Sequence, residues 1–253
     1  MVSEKKISLS PPPLLEPKPA SVPALFPIGI LILALFCLAF PAVETANAEE
    51  IIFSDDFQSG EISDEWVFFG DPTSIIEHDK GNPAPCFNNN GDSMYNSGIL
   101  SRKTFNIESG LIIQCDIFLN CLPRGTWVNS CLGIYDPSED RGVEGPEKLA
   151  YFEYAFSGEL AWGGPHLQGV LALKIAGQHI PLMIHRNQWL NGWHTFKIEF
   201  SPEGLCSFSI DDSLISSHHS DLLDDIDVVG VVLDGRSTSW GIALHDNLLV
   251  YVP

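Results

Sequence analysis

The chain has 253 residues, 45% of them hydrophobic, with 33 acidic residues against 13 basic ones and a net charge of −20. A surface so acidic repels phosphate backbones and anionic lipid, which excludes nucleic acid and, beyond the leader, membranes as partners. The same acidity suits solubility, and it also suits divalent cations, which take carboxylate oxygens.

Residues 1–48 read as an export leader. A Pro-rich stretch, PPPLLEPKPASVP, occupies residues 11–23. Lys5 and Lys6 give the basic end, Ile28 to Phe40 an unbroken apolar run, and Ala46-Asn47-Ala48 the small residues that signal peptidase needs, with cleavage expected before Glu49. Uncleaved, Val22 to Val43 is long enough to act as an anchor, although its three prolines and the Ala-Asn-Ala site favour cleavage. Either way the protein is expected outside the cytoplasm: periplasmic, secreted or on the cell surface. The remainder, 49–253, suits a single β-sandwich domain. It keeps Cys86, Cys115, Cys121, Cys131 and Cys206, an odd set without C-x-x-C spacing. Cys115 and Cys131 share parity on neighbouring predicted strands, so they either face each other across a hairpin or are buried free thiols.

Past residue 50 the hydrophobic pattern alternates with period two, and no amphipathic helical stretch appears. Strands are predicted near Ile51–Phe53, Glu65–Phe69, Ser74–Glu77, Gly98–Ser101, Gly110–Cys121, Thr126–Tyr135, Leu149–Phe156, Gly169–Ile175, Ile180–Ile184, Trp193–Ser201, Leu205–Ile210, Val228–Leu233 and Gly241–Val252. Turn chemistry separates them, at Gly81-Asn82-Pro83, Asn88 to Asp92, Pro123-Arg124-Gly125, Pro202-Glu203-Gly204 and Asp234-Gly235. Within Leu111–Cys121 the alternation sends Ile113, Cys115, Ile117, Leu119 and Cys121 to one face and Gln114, Asp116 and Asn120 to a wetter one. Phe196, Ile198 and Phe200 join Cys206, Phe208 and Ile210 in the core. In the last strand Ile242, Leu244, Leu248, Val250 and Val252 point inward, with Asp246 as an acid on the apolar face. The fold class is therefore all-β, an antiparallel β-sandwich or jelly roll behind an N-terminal signal segment.

Three stretches carry a family resemblance. They are Ile52-Phe53-Ser54-Asp55-Asp56-Phe57 with Gly60 and Trp66; the hairpin Gly192-Trp193-His194-Thr195-Phe196-Lys197-Ile198, Gly204 and Phe208-Ser209-Ile210-Asp211; and His245-Asp246-Asn247-Leu248-Leu249-Val250-Tyr251. Together they resemble the concanavalin A-like (laminin-G-like) lectin/glucanase superfamily, whose members include lectins, polysaccharide-binding modules, hydrolases and adhesion modules. The resemblance implies a jelly roll whose last strand returns beside the first, with Trp66 and Trp193 in the core. Asp212 departs from the pattern, which has Gly after the Asp211 position. Hydrolases of the superfamily carry E-x-D-x-x-E on one strand face, and that string is absent; the nearest carboxylates are Glu147, Glu153 and Asp116.

Neither a G-x-S-x-G nor an H-E-x-x-H occurs, and His218-His219 fall on an expected loop. Sugar binding needs exposed aromatic faces among polar groups, which Trp162 with His166, and Trp189 with Arg186 and Asn187, provide; loop packing is the plainer account of both tryptophans. Asp55, Asp56, Asp246 and Asn247, joined by pairing of the first and last strands, are candidates for a structural Ca²⁺, with turn capping as the alternative. The expected function is an exported, non-catalytic, lectin-like module with a glycan or polysaccharide as partner. The alternatives are a saccharide-active enzyme of the same fold and a cell-surface structural or adhesion protein.

Overall fold

The computed structural model describes residues 49–70, 74–78, 82–87, 97–121, 128–138, 145–157, 168–175, 178–182, 192–219, 226–237 and 241–253. The leader lies outside them. The described residues form strands and turns, without a helix: β1 (Glu50–Asp55), β2 (Trp66–Phe69), β3 (Ser74–His78), β4 (Asn82–Cys86), β5 (Ser97–Asn106), β6 (Leu111–Cys121), β7 (Val128–Tyr135), β8 (Lys148–Ser157), β9 (Gln168–Ile175), β10 (Gln178–Leu182), β11 (Trp193–Phe200), β12 (Leu205–Ile210), β13 (Ser213–His219), β14 (Val228–Arg236) and β15 (Gly241–Val252). An eight-stranded sheet runs β13-β12-β11-β6-β15-β4-β3, with β1 paired to β15, and a seven-stranded sheet runs β10-β9-β8-β7-β14-β5-β2.

Alternation decides which face each side chain takes. Ile113, Cys115, Ile117 and Leu119 of β6 are buried in the core, as are Phe196, Ile198 and Phe200 of β11 and Cys206, Phe208 and Ile210 of β12. From the facing sheet come Leu132 and Ile134 of β7, Phe152 and Tyr154 of β8, and Val229, Val231 and Leu233 of β14. Phe152 meets Phe196 and Phe208 edge-on at 4.9 and 5.5 Å between ring centroids.

Several expectations are corrected. The expected turn at Gly81-Asn82-Pro83 runs into β4, a strand that Pro83 and Pro85 disguise because neither has an N–H to give; β4 meets β15 at the single position Cys86 opposite Leu244. His218 and His219 lie on β13, which pairs with β12. Asp234-Gly235 is no turn but part of β14, where a Cβ on Gly235 would stand 2.6 Å from the Asn129 carbonyl oxygen. Cys115 and Cys131 are on different sheets, and Cys86, Cys115, Cys131 and Cys206 are all buried free thiols. Trp66 is in the core, but Trp193 packs on the outer face of the eight-stranded sheet against Phe118, 5.5 Å between centroids.

The largest correction is in β15. Its register with β6 shifts between Asp246 and Leu249, and Asn247 takes a φ of 48°. This extra residue reverses the parity. Ahead of it Ala243 and His245 point inward while Leu244 packs outside with Ala84, Cys86 and Phe118; after it Leu248 and Val250 enter the core. Asp246 therefore lies opposite Asp116 on the outer face, and Ile242 is 38% exposed.

The β12–β13 turn explains the Asp212 departure. Asp211 and Asp212 have φ values of 49° and 61°, the geometry of a type I′ turn, which favours Gly at its second central position. Asp211 is held there: its Oδ1 accepts from Thr195 N at 3.1 Å and its Oδ2 lies 2.7 Å from His194 Nδ1. Asp212 is exposed and stays left-handed against its own preference. Replacing Asp212 by Gly is expected to stabilise the protein by about 0.5–1 kcal/mol, read as a higher urea midpoint at unchanged slope; an unchanged or lower midpoint contradicts this account of the turn.

His245 is the one fully buried histidine among the described residues. Its Nε2 sits 2.8 Å from Ser130 Oγ and 3.2 Å from the Cys131 carbonyl, beside the Phe87 ring. Burial pulls its pKa down to about 3, with the Cys131 carbonyl opposing. The unfolded chain takes up this proton near pH 6.5 and the folded one does not, so the neutral imidazole's contribution is complete above pH 6.5 and is lost as pH falls below it. Stability should drop by about 2 kcal/mol from this residue between pH 7 and pH 5. Parallel urea titrations of His245→Gln should show that component gone.

Candidate functional site

Because Val128, Leu132 and Ile134 of β7 point into the core, Asn129, Cys131, Gly133 and Tyr135 point to the outer face of the seven-stranded sheet. Register then builds a cross-strand row: Cys131 lies opposite Glu153 of β8 on one side and Asp234 of β14 on the other. Gly133 lies between Tyr151 and Val232 in the next row, and Asn129 lies opposite Arg236 beyond the first. An outer sheet face is normally wet. Here Asp234 is 0%, Cys131 1% and Asn129 3% exposed, so charged and polar groups are desolvated on the side away from the core.

Buried polar groups need partners. The Asp234 carboxylate closes on the Lys148 ammonium. Asn129 Nδ2 donates to Glu153 Oε1 at 2.6 Å, and among the described residues Asn129 Oδ1 has no donor. Lys148 Nζ also stands 5.3 Å from the centre of the Tyr151 ring. Burial by itself pulls the Lys148 pKa down, but the Asp234 and Glu153 carboxylates outweigh it and the net is upward, so the ammonium stays charged. Burial pushes the Cys131 thiol well up, which leaves it protonated and a poor nucleophile. Burial, then Glu153, also raises the Tyr151 phenol, which remains a neutral hydrogen-bonding group.

The other half of this face is apolar, formed by Phe69, Leu100, Tyr135 and Val232. Glycines let its rings lie close to the sheet. A Cβ on Gly98 would meet the Phe69 ring at 2.8 Å, and one on Gly145, where φ is 84°, would meet the same ring at 2.7 Å. The segment leading into β8 thus crosses over Phe69.

Of the carboxylates singled out in the sequence, Glu153 falls in this row. Glu147 lies at its rim, 2.8 Å from Lys174 Nζ, and Asp116 belongs to the other sheet. Trp162, His166, Arg186, Asn187 and Trp189 lie outside the described residues; the stretches holding them follow β8 and β10 in the chain. Lys148, Asp234 and Asn129 went unnoticed in the sequence. Asp234 had a signal: it shares outward parity with Val232 in β14, and the Asp-Gly pair masked it.

The expected calcium residues do come together, since β1 pairs with β15 and brings Asp55 opposite Leu248. Ser54, Asp55, Asp56, Asn247, Leu248 and Leu249 line one shallow cleft. Several of their oxygens accept hydrogen bonds. Asp55 accepts from Phe57 N at 2.8 Å and from Trp66 Nε1 at 2.7 Å, Asp56 from Gln58 N at 3.1 Å, and Asp246 from Asn247 N at 2.8 Å. Asn247 Nδ2 donates to Asp116, which also accepts from the Thr195 hydroxyl at 2.6 Å. Burial raises the Asp246 pKa, against its bond to Asn247, and Asp116, Asp56 and Asp55 add to the rise. Among the described residues no group of three or more His, Cys, Asp or Glu is placed to hold a metal. These bonds are of the turn-capping kind.

No family model matches the chain, and no curated protein matches it. Solved structures do. The carbohydrate recognition domain of Emp47p superposes with a TM-score of 0.57 at 10% identity, covering 82% of this chain and 98% of that one. A glycoside hydrolase family 16 endo-glucanase from Bacteroides ovatus gives 0.54 at 13% identity, covering 79% and 100%. The CBM2 module of the evolved Dit of Lactobacillus casei BL23 phage J-1 gives 0.56 at 10% identity, covering 81% and 96%. The chain has the concanavalin A-like lectin/glucanase fold.

The ion pair under the polar row gives a direct test. Lys148→Met strands the fully buried Asp234 carboxylate and should cost about 3–5 kcal/mol, whereas Lys148→Met with Asp234→Asn should recover most of the loss. Urea unfolding of both variants measures the difference; equal losses would show that the two groups do not depend on each other.

Proposed function

We propose that the protein is an exported carbohydrate-binding module that takes a glycan on the outer face of the seven-stranded sheet and does not cleave it. The observation that carries this reading is the cross-strand row Glu153–Cys131–Asp234, in which Asp234 is closed on Lys148 and Glu153 stays half-exposed. Glu153 and Tyr151, both half-exposed, offer a carboxylate and a phenol to sugar hydroxyls. Trp162 and Trp189, outside the described residues, are proposed as further sugar contacts. Solved structures of the same fold include proteins named as carbohydrate recognition domains and as glucanases, which supports a saccharide as the ligand class.

Glycoside hydrolysis needs one carboxyl that keeps its proton and a second that is free to act on the sugar. Asp234 is sealed from solvent and neutralised by Lys148, which favours binding alone. A second reading rests on the same row. Glu153 and Asp234 are separated by one strand, about 10 Å between backbones, close to the wider spacing used by inverting enzymes.

One assay separates the two. Incubated with a panel of soluble polysaccharides, the protein should melt at a higher temperature with at least one of them and release no reducing ends. Glu153→Gln should abolish the shift while the unliganded melting point holds. Reducing-end release that disappears in Glu153→Gln would establish the hydrolase instead, and a flat response to the whole panel would reject both.

A further inference from the structure

We infer that the glycan taken by this face is an uncharged one, and that the face is built to refuse chains bearing uronate or sulfate groups; this rests on the reading proposed above. Anionic sugars are held by cations that form charge-assisted contacts with the ligand. Among the described residues, the two lysines of the polar half of this face each already have an acid, and Arg102 of β5, toward the β2 edge, gives its Nε–H to the Asp64 carbonyl at 2.7 Å. Lys148 is closed on Asp234, and Lys174 on Glu147 at 2.8 Å. Arg236, opposite Asn129, is engaged as well. The two lysine side chains are only 20% and 18% exposed, so neither swings out to a ligand without leaving a protein carboxylate behind.

What remains accessible on the face suits hydroxyl groups. Glu153 accepts their hydrogen bonds, and Tyr151 gives or accepts one. A ligand carboxylate or sulfate would meet Glu153 as a like charge. Beyond the face, the net charge of −20 acts on any approaching polyanion over a screening length of about 8 Å at physiological salt. Among the described residues, the outer face of the opposite sheet carries Asp116, Glu199 and Asp211 against Lys197. A neutral chain meets none of these penalties.

The test uses the full chain in affinity electrophoresis against glucomannan, xyloglucan and galactan on one side and alginate, polygalacturonate and chondroitin sulfate on the other. Each is run at about 20 mM and about 200 mM NaCl, conditions that span a long and a short screening length. Expected is retardation by at least one neutral polymer, insensitive to salt, and none by the anionic three. In Glu147→Gln, where a 65% exposed acid is removed and Lys174 is left unmatched, alginate should gain several-fold in retardation at the lower salt and lose it at the higher. Stronger retention of an anionic polymer than of every neutral one, fading with salt, would overturn the inference and leave the glycan reading standing. A Glu147→Gln protein as indifferent to alginate as the parent would overturn the role given to the matched cations. Silence toward all six polymers removes the glycan reading, and the inference with it.

Discussion

The single extra residue in β15 is the constraint on which the sandwich turns. That strand lies at the middle of the eight-stranded sheet, with β6 on one side and β4 and β1 sharing the other. It must seal the core along its whole length and also let the first strand pair with its end. A regular strand keeps one parity throughout. With Asn247 left-handed, β15 changes parity midway, so Ala243 and His245 face the core before the break and Leu248 and Val250 after it. The same kink turns Asp246 outward to meet Asp116 and brings Asn247 within reach of that carboxylate. An acid that would be hard to tolerate in the core becomes part of an outer hydrogen-bonded patch.

The two outer faces then diverge for physical reasons. On the eight-stranded sheet Asp246 is buried, while Thr195, Asp116 and Gln114 are half-exposed and joined by hydrogen bonds, such as Thr195 to Asp116 and Tyr251 to Gln114. On the seven-stranded sheet Asp234 and Asn129 have been withdrawn from water, and their positions depend on Lys148 and Glu153. Desolvated charges that lie outside the core serve no packing purpose that apolar residues would not serve better. Their presence marks this face, more than the wetter one, as the place where chemistry or recognition is concentrated.

How much of this was legible depends on how local the information is. Alternation alone placed Ile113, Cys115, Ile117, Phe196, Ile198, Phe208 and Ile210 correctly, because a buried strand face is written in period two. It failed where one residue changes the frame, as at Asn247, and where prolines disguise a strand, as at Pro83 and Pro85 in β4. It failed again at Asp234-Gly235, a pair that reads as a turn but in β14 gives the sheet a charge on one face and a close backbone approach on the other. The polar row was the least legible feature. Glu153, Cys131 and Asp234 come from three strands, and only the pairing register unites them.

That register also bears on why the fold alone leaves binding and hydrolysis undecided. Hydrolases of this architecture hold their carboxylates on one strand, where spacing along the chain sets the distance between them. In this chain the two acids of the row come from strands on either side of β7, so their separation is fixed by strand spacing and their ionisation by whichever cation the neighbouring strand supplies. Lys148, entering β8 just where its register with β7 slips, supplies that cation to Asp234 and withdraws it from use as an acid or a nucleophile. With Asp234 committed to Lys148, Glu153 is the half-exposed carboxylate of the row, held on one side by the Asn129 amide.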